Sequence, residues 1–517
     1  MAGDLSLYLL LVALFAVPLL ILFGSRRWTA RDDACTKRRL PPGPWALPVI
    51  GHLHHLAGGL APHRAMRDLA RRHGPVMMLR FGEVTAVVAS SPDAAREIMK
   101  TNDVAFAWRP TGPMSQLWFQ GDDGLVFAPY GEAWRRLRRI CTQELLSHRR
   151  VQSFRKVRED ELGRLLRAVH MAAKAAPVNL SEMISTYVAD STVRATIGSH
   201  RLKHRDEYLR LLNGLVSIMP GMSLPDLFPS SRLAMLVSCV PGRIERYRRR
   251  MRRIMDSIID EHQERRAAGN GNDEEEDLVD VLFRLQKETD AQYPLTTENI
   301  KSVMLDIFSA GSETTATTLQ WVMAELMRSP NSMQKAQDEL RRAVVGHGTV
   351  TEDVLPNLHY LRLVVKETLR LHPALALVPR RCESSCKVLG YDVPAGAMVL
   401  VSSWAIGRDP AHWDAPDEFS PERFERAGER DRDLRGANFE LIPFGSGRRV
   451  CPGMTFGLVH IELALAALLF HFDWSLPDGM AADELDMTDT SGLITRRRLD
   501  LLVVPVPRVP VPTQSDH

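Results

Sequence analysis

Cysteine is scarce in this 517-residue chain: there are six (Cys35, Cys141, Cys239, Cys382, Cys386 and Cys451), and no two stand as a CxxC pair. That spacing excludes a disulfide-built scaffold and a cysteine zinc site. Charge of one sign is equally short. Lys and Arg total 66 against 63 Asp and Glu, a net charge of +3, which gives no global reason to bind nucleic acid or another polyanion. No internal repeat is visible. What the chain does have is core material, with 45% hydrophobic and 25% charged residues, so it is not disordered by composition. Length alone allows about two to four domains.

Long uncharged runs are limited to one, Leu5 to Ser25, LSLYLLLVALFAVPLLILFGS. As a helix it would span roughly 30 Å, one bilayer core. A cleaved secretory signal would carry its positive charges first. Here Asp4 precedes the run, and Arg26, Arg27, Arg31, Lys37, Arg38 and Arg39 follow it. The expectation is an uncleaved single-pass anchor with the rest of the chain in the cytosol and Pro18 tolerated as a kink. Leu40-Pro41-Pro42-Gly43-Pro44 then reads as a stiff, extended hinge. The expected division is an anchor at 1–25, a basic stretch and hinge at 26–44, and one domain over 45–517.

Helical periodicity dominates that domain: Pro92 to Thr101, Gln143 to Met171, Asp206 to Ile218, Ile244 to Ala268 and Thr297 to Arg328 are the expected helices. Short β-type runs occur at Val76 to Arg80, Thr85 to Ala89 and Met398 to Ser402. The fold class is therefore mainly α with small β-sheets. The acidic segment from Gly269 to Asp277 reads as a solvated loop, and the arginine-rich Arg243 to Arg253 as the wet face of an amphipathic helix. The tail from Val504 to Pro512 favours polyproline-like extension.

One cysteine has chemistry around it. Phe444-Gly445-Ser446-Gly447-Arg448-Arg449-Val450-Cys451-Pro452-Gly453 precedes an apolar helical run from Met454 to Phe470. Glycines permit a tight loop, Pro452 suits a first helical turn, and a helix N-terminus favours a thiolate. Zinc and iron–sulfur clusters need several protein ligands, which leaves axial ligation of haem iron for a lone thiolate. Cys382 and Cys386, spaced CxxxC, lack such surroundings and read as ordinary thiols.

The ten residues from Phe444 to Gly453 match the haem-loop pattern FxxGxRxCxG, and the chain resembles the cytochrome P450 superfamily, in particular plant microsomal A-type monooxygenases of specialised metabolism. PPGPWALPVIGHLHHL, FAPYGEAWRRLRRIC and FGSGRRVCPG carry the plant likeness, and the resemblance runs from Pro41 to about Val503. It implies the cytochrome P450 fold and haem b held by Cys451 as metal ligand. It also implies NADPH electrons from a separate cytochrome P450 reductase, and an endoplasmic reticulum location with membrane lipid around the anchor. Ala310-Gly311-Ser312-Glu313-Thr314-Thr315 carries over Glu313 as the acid and Thr314 as the hydroxyl donor that manage protons for dioxygen. Lys366-Glu367-Thr368-Leu369-Arg370 with Pro421-Glu422-Arg423-Phe424 carries over a buried cluster of Glu367, Arg370 and Arg423. Trp134, Arg138, Arg380 and Arg449 match haem-propionate positions, with Phe444 and Gly453 flanking the thiolate. Arg135, Arg136, Arg139 and Arg448 are left over for a basic face that docks the reductase.

Substrate contacts implied by the resemblance come from Pro110 to Val126, from Ile307, Phe308 and Ala310, from Ala374 to Val378 with Leu375, and from Ser491 to Thr495 with Leu493. The last three stretches are mostly apolar, so the expected substrate is a hydrophobic small molecule such as a terpenoid, with indolic or phenolic compounds as the alternative. Trp108 stands where relatives commonly carry a small residue, so the first loop is expected to pack differently. The rival classes are a haem-thiolate isomerase or dehydratase, which the intact Glu313–Thr314 pair disfavours, and a haem-binding protein without turnover.

Overall fold

The computed structural model describes residues 38–511, apart from 120–123, 176, 199–204, 219–221, 268–275, 288–294, 345–347, 427 and 491. The expected anchor and most of the cationic residues after it lie outside the described residues. Three helices form the centre: Leu180–Ile197, the long Thr297–Arg328 and Met454–His471. The long helix has the bounds its periodicity predicts, because Thr296 and Asn299 form a reciprocal capping box at one end and Pro330 follows at the other. Among the described residues, Met454–His471 is long and apolar enough to cross a bilayer, but 67% of it is buried inside the protein, so it is a core helix.

The other helices correct the expected bounds. Gln143 to Met171 is not continuous: a wide turn over Cys141–Leu145 ends at Leu146, Ser147 caps a new helix His148–Ser153 by accepting from the Arg150 N–H, and Arg155–Ala172 follows. Pro92 to Thr101 likewise changes from an α-helix at Pro92–Arg96 to a wide turn at Glu97–Thr101. The arginine-rich helix, Val240–Ala267, buries Ile244 and Met251. Asp277 is not solvated; it sits buried against His262 at 2.9 Å and accepts from the Asp280 N–H at 2.9 Å.

Strands are few. Val76–Phe81, Val84–Ala89, Met398–Val401 and Val378–Arg381 form one sheet in that order, antiparallel, parallel and antiparallel. Cys386–Val388 pairs with Tyr391–Val393 as a hairpin. The tail departs from its expected extension, because Leu502–Pro507 pairs with Phe472–Ser475 and, at Leu502 and Val503, with Val178–Asn179. Its two prolines are tolerated because Pro505 and Pro507 lie beyond the short third strand, where a missing N–H costs no ladder bond. Trp108 is drawn into the sheet margin: its carbonyl accepts from the Arg381 N–H at 2.9 Å.

Candidate active site

The cysteine loop is held by its own backbone. The Cys451 N–H donates to the Phe444 carbonyl at 3.0 Å and the Val450 N–H to Gly447 at 3.0 Å. Gly447 adopts φ +69°, and a Cβ there would lie 2.0 Å from the Met99 carbonyl oxygen, so no other residue fits. The helix starts at Met454 as its apolar run predicts, with Gly453 as its cap and Pro452 just before it. A Cβ on Gly453 would meet nothing within 4 Å, so open space adjoins the cysteine. Burial pushes the Cys451 thiol up, while the Gly453 N–H and Arg138 draw it down. The helix terminus alone therefore does not deliver the expected thiolate; a bound cation on sulfur would.

Across from the loop, the long helix meets the two other central helices at Gly311. A Cβ there would approach Thr192 Cγ2 at 3.2 Å and Phe456 at 3.8 Å, so the glycine also has a packing reason. Ala310 is exposed although Phe308 and Ser312 beside it are buried. Such a solvent-reachable face in mid-helix borders internal space. The Thr314 hydroxyl donates to the Ala310 carbonyl at 2.7 Å, which leaves its oxygen free to accept. Glu313 pairs with Arg496 at 2.6 Å; burial raises its carboxyl and Arg496 opposes that. Phe308 is a correction: it is fully buried, edge-on to Tyr208 with ring centroids 5.3 Å apart, and offers no surface to a substrate. Ile307, Leu375 and Leu493 keep partial exposure.

Four guanidinium groups gather beside the loop. Desolvation lowers all of them, and Arg109, Arg380 and Arg449 are lowered further by neighbouring arginines, Arg109 to about 10 and Arg449 to about 9. Arg449 donates to the carbonyls of Ala107, Leu125, Val126 and Ala128, and Arg138 to that of Val450. Arg380 Nη2 is buried without a hydrogen-bond partner. The Asp103 carboxylate opposes that charge at Arg380 and Arg449, and it also pairs with Arg448 at 3.3 Å. Buried cations in such excess are costly unless an anion joins them. The two propionates of haem b would supply that anion, so the residues present fit the group. Trp134 is another correction, since its indole N–H is committed to the Leu125 carbonyl at 2.9 Å and its ring lies 4.3 Å under Arg449.

Behind the loop, Glu367, Arg370 and Arg423 form the expected cluster, all three essentially without solvent contact. Arg370 forks onto both Glu367 oxygens at 2.8 Å, and Arg423 Nε and the Ser420 N–H reach Oε1 at 2.9 Å. The remaining guanidinium protons find the carbonyls of Gly407, Asp414, Ala415, Pro416 and Glu418. Each charge is thus paired or hydrogen-bonded, the condition for tolerating burial.

Asp306 escaped the sequence reading. Its Oδ2 accepts from the backbone N–H groups of Leu125 at 2.6 Å and Val126 at 3.1 Å, whose carbonyls hold Arg449, Arg109 and Trp134. Gly124, at φ +59°, is required beside it: a Cβ there would lie 2.4 Å from Oδ2. The signal was an acid inside the apolar run Val303 to Phe308, one turn before Ala310. Burial lifts its carboxyl from 3.8 to about 7, against the two N–H groups that lower it. A carboxyl raised on folding stabilises below its unfolded value and loses that contribution as pH rises through about 7. Asp306→Asn is therefore expected to raise the melting temperature of the full-length protein at pH 8 by a few degrees and to raise it clearly less at pH 5. An equal change at both pH values would contradict the burial of that charge.

A sequence profile of the family described as Cytochrome P450 matches residues 41–503. The chain is 42% identical over 503 residues to premnaspirodiene oxygenase of Hyoscyamus muticus, covering 97% of this chain and 98% of that one. It is 47% identical over 477 residues to dolabradiene monooxygenase of Zea mays, covering 91% and 93%. Desmethyl-deoxy-podophyllotoxin synthase of Sinopodophyllum hexandrum is 46% identical over 470 residues, covering 90% and 92%. A zebrafish cytochrome P450 solved with progesterone shares the fold at a TM-score of 0.74 and 24% identity, covering 87% of this chain and all of that one. A cysteine loop under a solvent-reachable helix, a cluster of buried arginines with too few carboxylates beside it and a profile match over most of the chain converge: the protein is a member of the cytochrome P450 family, a haem-dependent monooxygenase.

Proposed function

We propose that this monooxygenase oxidises a hydrophobic plant metabolite of the terpenoid class, with Cys451 as the thiolate ligand of haem b. Arg138, Arg380 and Arg449 would hold the propionates. The observation that supports this most is the unpaired Arg380 Nη2 among buried cations beside the cysteine loop. When bound, haem supplies dioxygen activation with electrons that originate from NADPH and inserts one oxygen atom into the substrate. Thr314 would accept a hydrogen bond on the substrate side, and Glu313, whose carboxyl burial raises, would hold a proton one residue before it, with Arg496 as its charged partner. Ala310, Ile307, Leu375 and Leu493, apolar and at least partly exposed, suit a hydrophobic substrate. Two relatives are named for oxidation of dienes, in keeping with a hydrocarbon-like substrate, while the third is named for forming desmethyl-deoxy-podophyllotoxin, so other metabolite classes stand as the alternative.

The basic face for an NADPH–cytochrome P450 reductase would use Arg136 and Arg139 most, because Arg135 already pairs with Glu132 at 3.1 Å and Arg448 with Asp103. For the membrane, exposed Leu233, Met235, Leu236 and Val237 lie on the segment that docks onto the Phe81–Val84 turn through Leu227 and Ser230, while exposed Trp45 and Val49 flank the same turn. That apolar rim suits contact with lipid at the endoplasmic reticulum. With reductase and NADPH, terpenoid hydrocarbons are expected to yield products one oxygen heavier, in step with NADPH consumed. Turnover of phenolic or indolic compounds alone would overturn the substrate class, and no NADPH-dependent product from any of them would overturn the reading.

A further inference from the structure

The CxxxC pair, read from sequence as two ordinary thiols, is brought together by the fold, with both thiols free. Cys382 follows the strand Val378–Arg381 and is fully buried, among Val388, Val393, Ala397 and Val401. Cys386 opens the next strand and is half-buried. Between them Glu383, Ser384 and Ser385 form an exposed turn. The Cys382 sulfur lies 3.2 Å from the Ser384 carbonyl and 3.8 Å from that of Val393, the residue paired with Cys386. The Val393 contact places the Cys382 sulfur beside the residue that Cys386 faces across the hairpin. The half-buried thiol and the buried one beside it suit an attacking and a resolving cysteine. Neither belongs to the site described above.

We propose that Cys382 and Cys386 are a reversible dithiol–disulfide pair oxidised by hydrogen peroxide, with Cys386 attacking and Cys382 resolving. The Cys386 thiolate bonds to one peroxide oxygen, the O–O bond breaks, and the departing hydroxide takes a proton to become water, leaving a sulfenic acid. The Cys382 sulfur then attacks that sulfur and expels hydroxide, which takes the Cys382 proton. Two thiols and one peroxide become one disulfide and two waters. The neighbouring Cys382 holds the Cys386 thiol below its ordinary value, which favours attack, while Cys386 and burial push Cys382 up. The source of peroxide rests on the monooxygenase reading, because electrons that reach dioxygen without reaching substrate leave as peroxide. The disulfide would close the exposed turn next to Arg380, whose buried Nη2 lacks a hydrogen-bond partner.

The test adds equimolar hydrogen peroxide to the reduced, full-length holoprotein, quenches with an alkylating agent and maps the thiols by mass spectrometry. The expected product is an internal disulfide in the Cys382–Cys386 peptide, restored by dithiothreitol and formed at least about tenfold faster than oxidation of the exposed Cys239. Cys382→Ser should leave a sulfenic acid on Cys386 that a dimedone probe traps, and Cys386→Ser should leave Cys382 alkylatable only after unfolding. Each variant is scored only if its reduced carbon monoxide spectrum matches the parent. Two free thiols after Cys239 has reacted would overturn the proposal, as would a Cys386 sulfinic acid without a disulfide. Because peroxide is added directly, failure here leaves the monooxygenase assignment standing.

Discussion

Glu367→Ala is expected to yield no folded haem protein. The substitution strands Arg370 and Arg423 together, both buried, both of whose carboxylate bonds end on Glu367. Breaking a buried charge network by removing one partner costs about 3–5 kcal/mol, against a whole-domain stability of about 5–15 kcal/mol. The loss reaches the haem site because Arg370 ties Glu367 to the carbonyls of Gly407, Pro416 and Glu418, and Arg423 adds Asp414 and Ala415. These two guanidiniums thus collect a long, largely irregular segment that precedes the cysteine loop. Glu367→Gln keeps an acceptor but not the charge, and is expected to accumulate less holoprotein than the parent. Normal haem content in either variant, measured per mole of purified protein, would refute the cluster's role in assembly.

Thr314→Ala is expected to keep haem and fold while product formation falls by about 10², the scale on which a positioned proton donor contributes. Thr314 sits one turn after the exposed Ala310 and anchors its hydroxyl on that residue's carbonyl. Its removal takes away a group that can accept one hydrogen bond and donate another at the cavity face. NADPH oxidation should continue, with the electrons recovered as hydrogen peroxide. Thr314→Ser should restore most of the coupling, since it returns the hydroxyl without the methyl. Unchanged coupling in the alanine variant would remove Thr314 from proton handling.

Both predictions rest on residues whose pattern was legible in the sequence. The cysteine loop was readable because backbone geometry admits few residues there, as Gly447 against the Met99 carbonyl shows. The long helix was readable to its ends, because a capping box and a proline mark them. The Glu367 cluster needed the family resemblance: an i, i+3 pair is commonplace, and only three-dimensional contact shows that Arg423 and five carbonyls complete it. Other features had no local signal. Nothing near Ser147 in one dimension says that a cap interrupts an otherwise periodic run, and the Pro505 strand is visible only once its partner is known. Asp306 is one acid in an apolar stretch, and its role shows only in contact with two N–H groups from a loop far away in the chain. Trp134 shows the reverse case, a correct motif whose indole proton is spent on the backbone.

The central claim is that Cys451 supplies a thiolate to haem iron in this chain. Its direct test is the carbon monoxide difference spectrum of the dithionite-reduced full-length protein and of Cys451→Ser. The account predicts the red-shifted Soret band of a thiolate-ligated carbonyl complex in the parent and its loss in the serine variant. A histidine-type spectrum in the parent, or an unchanged band in Cys451→Ser, would contradict it.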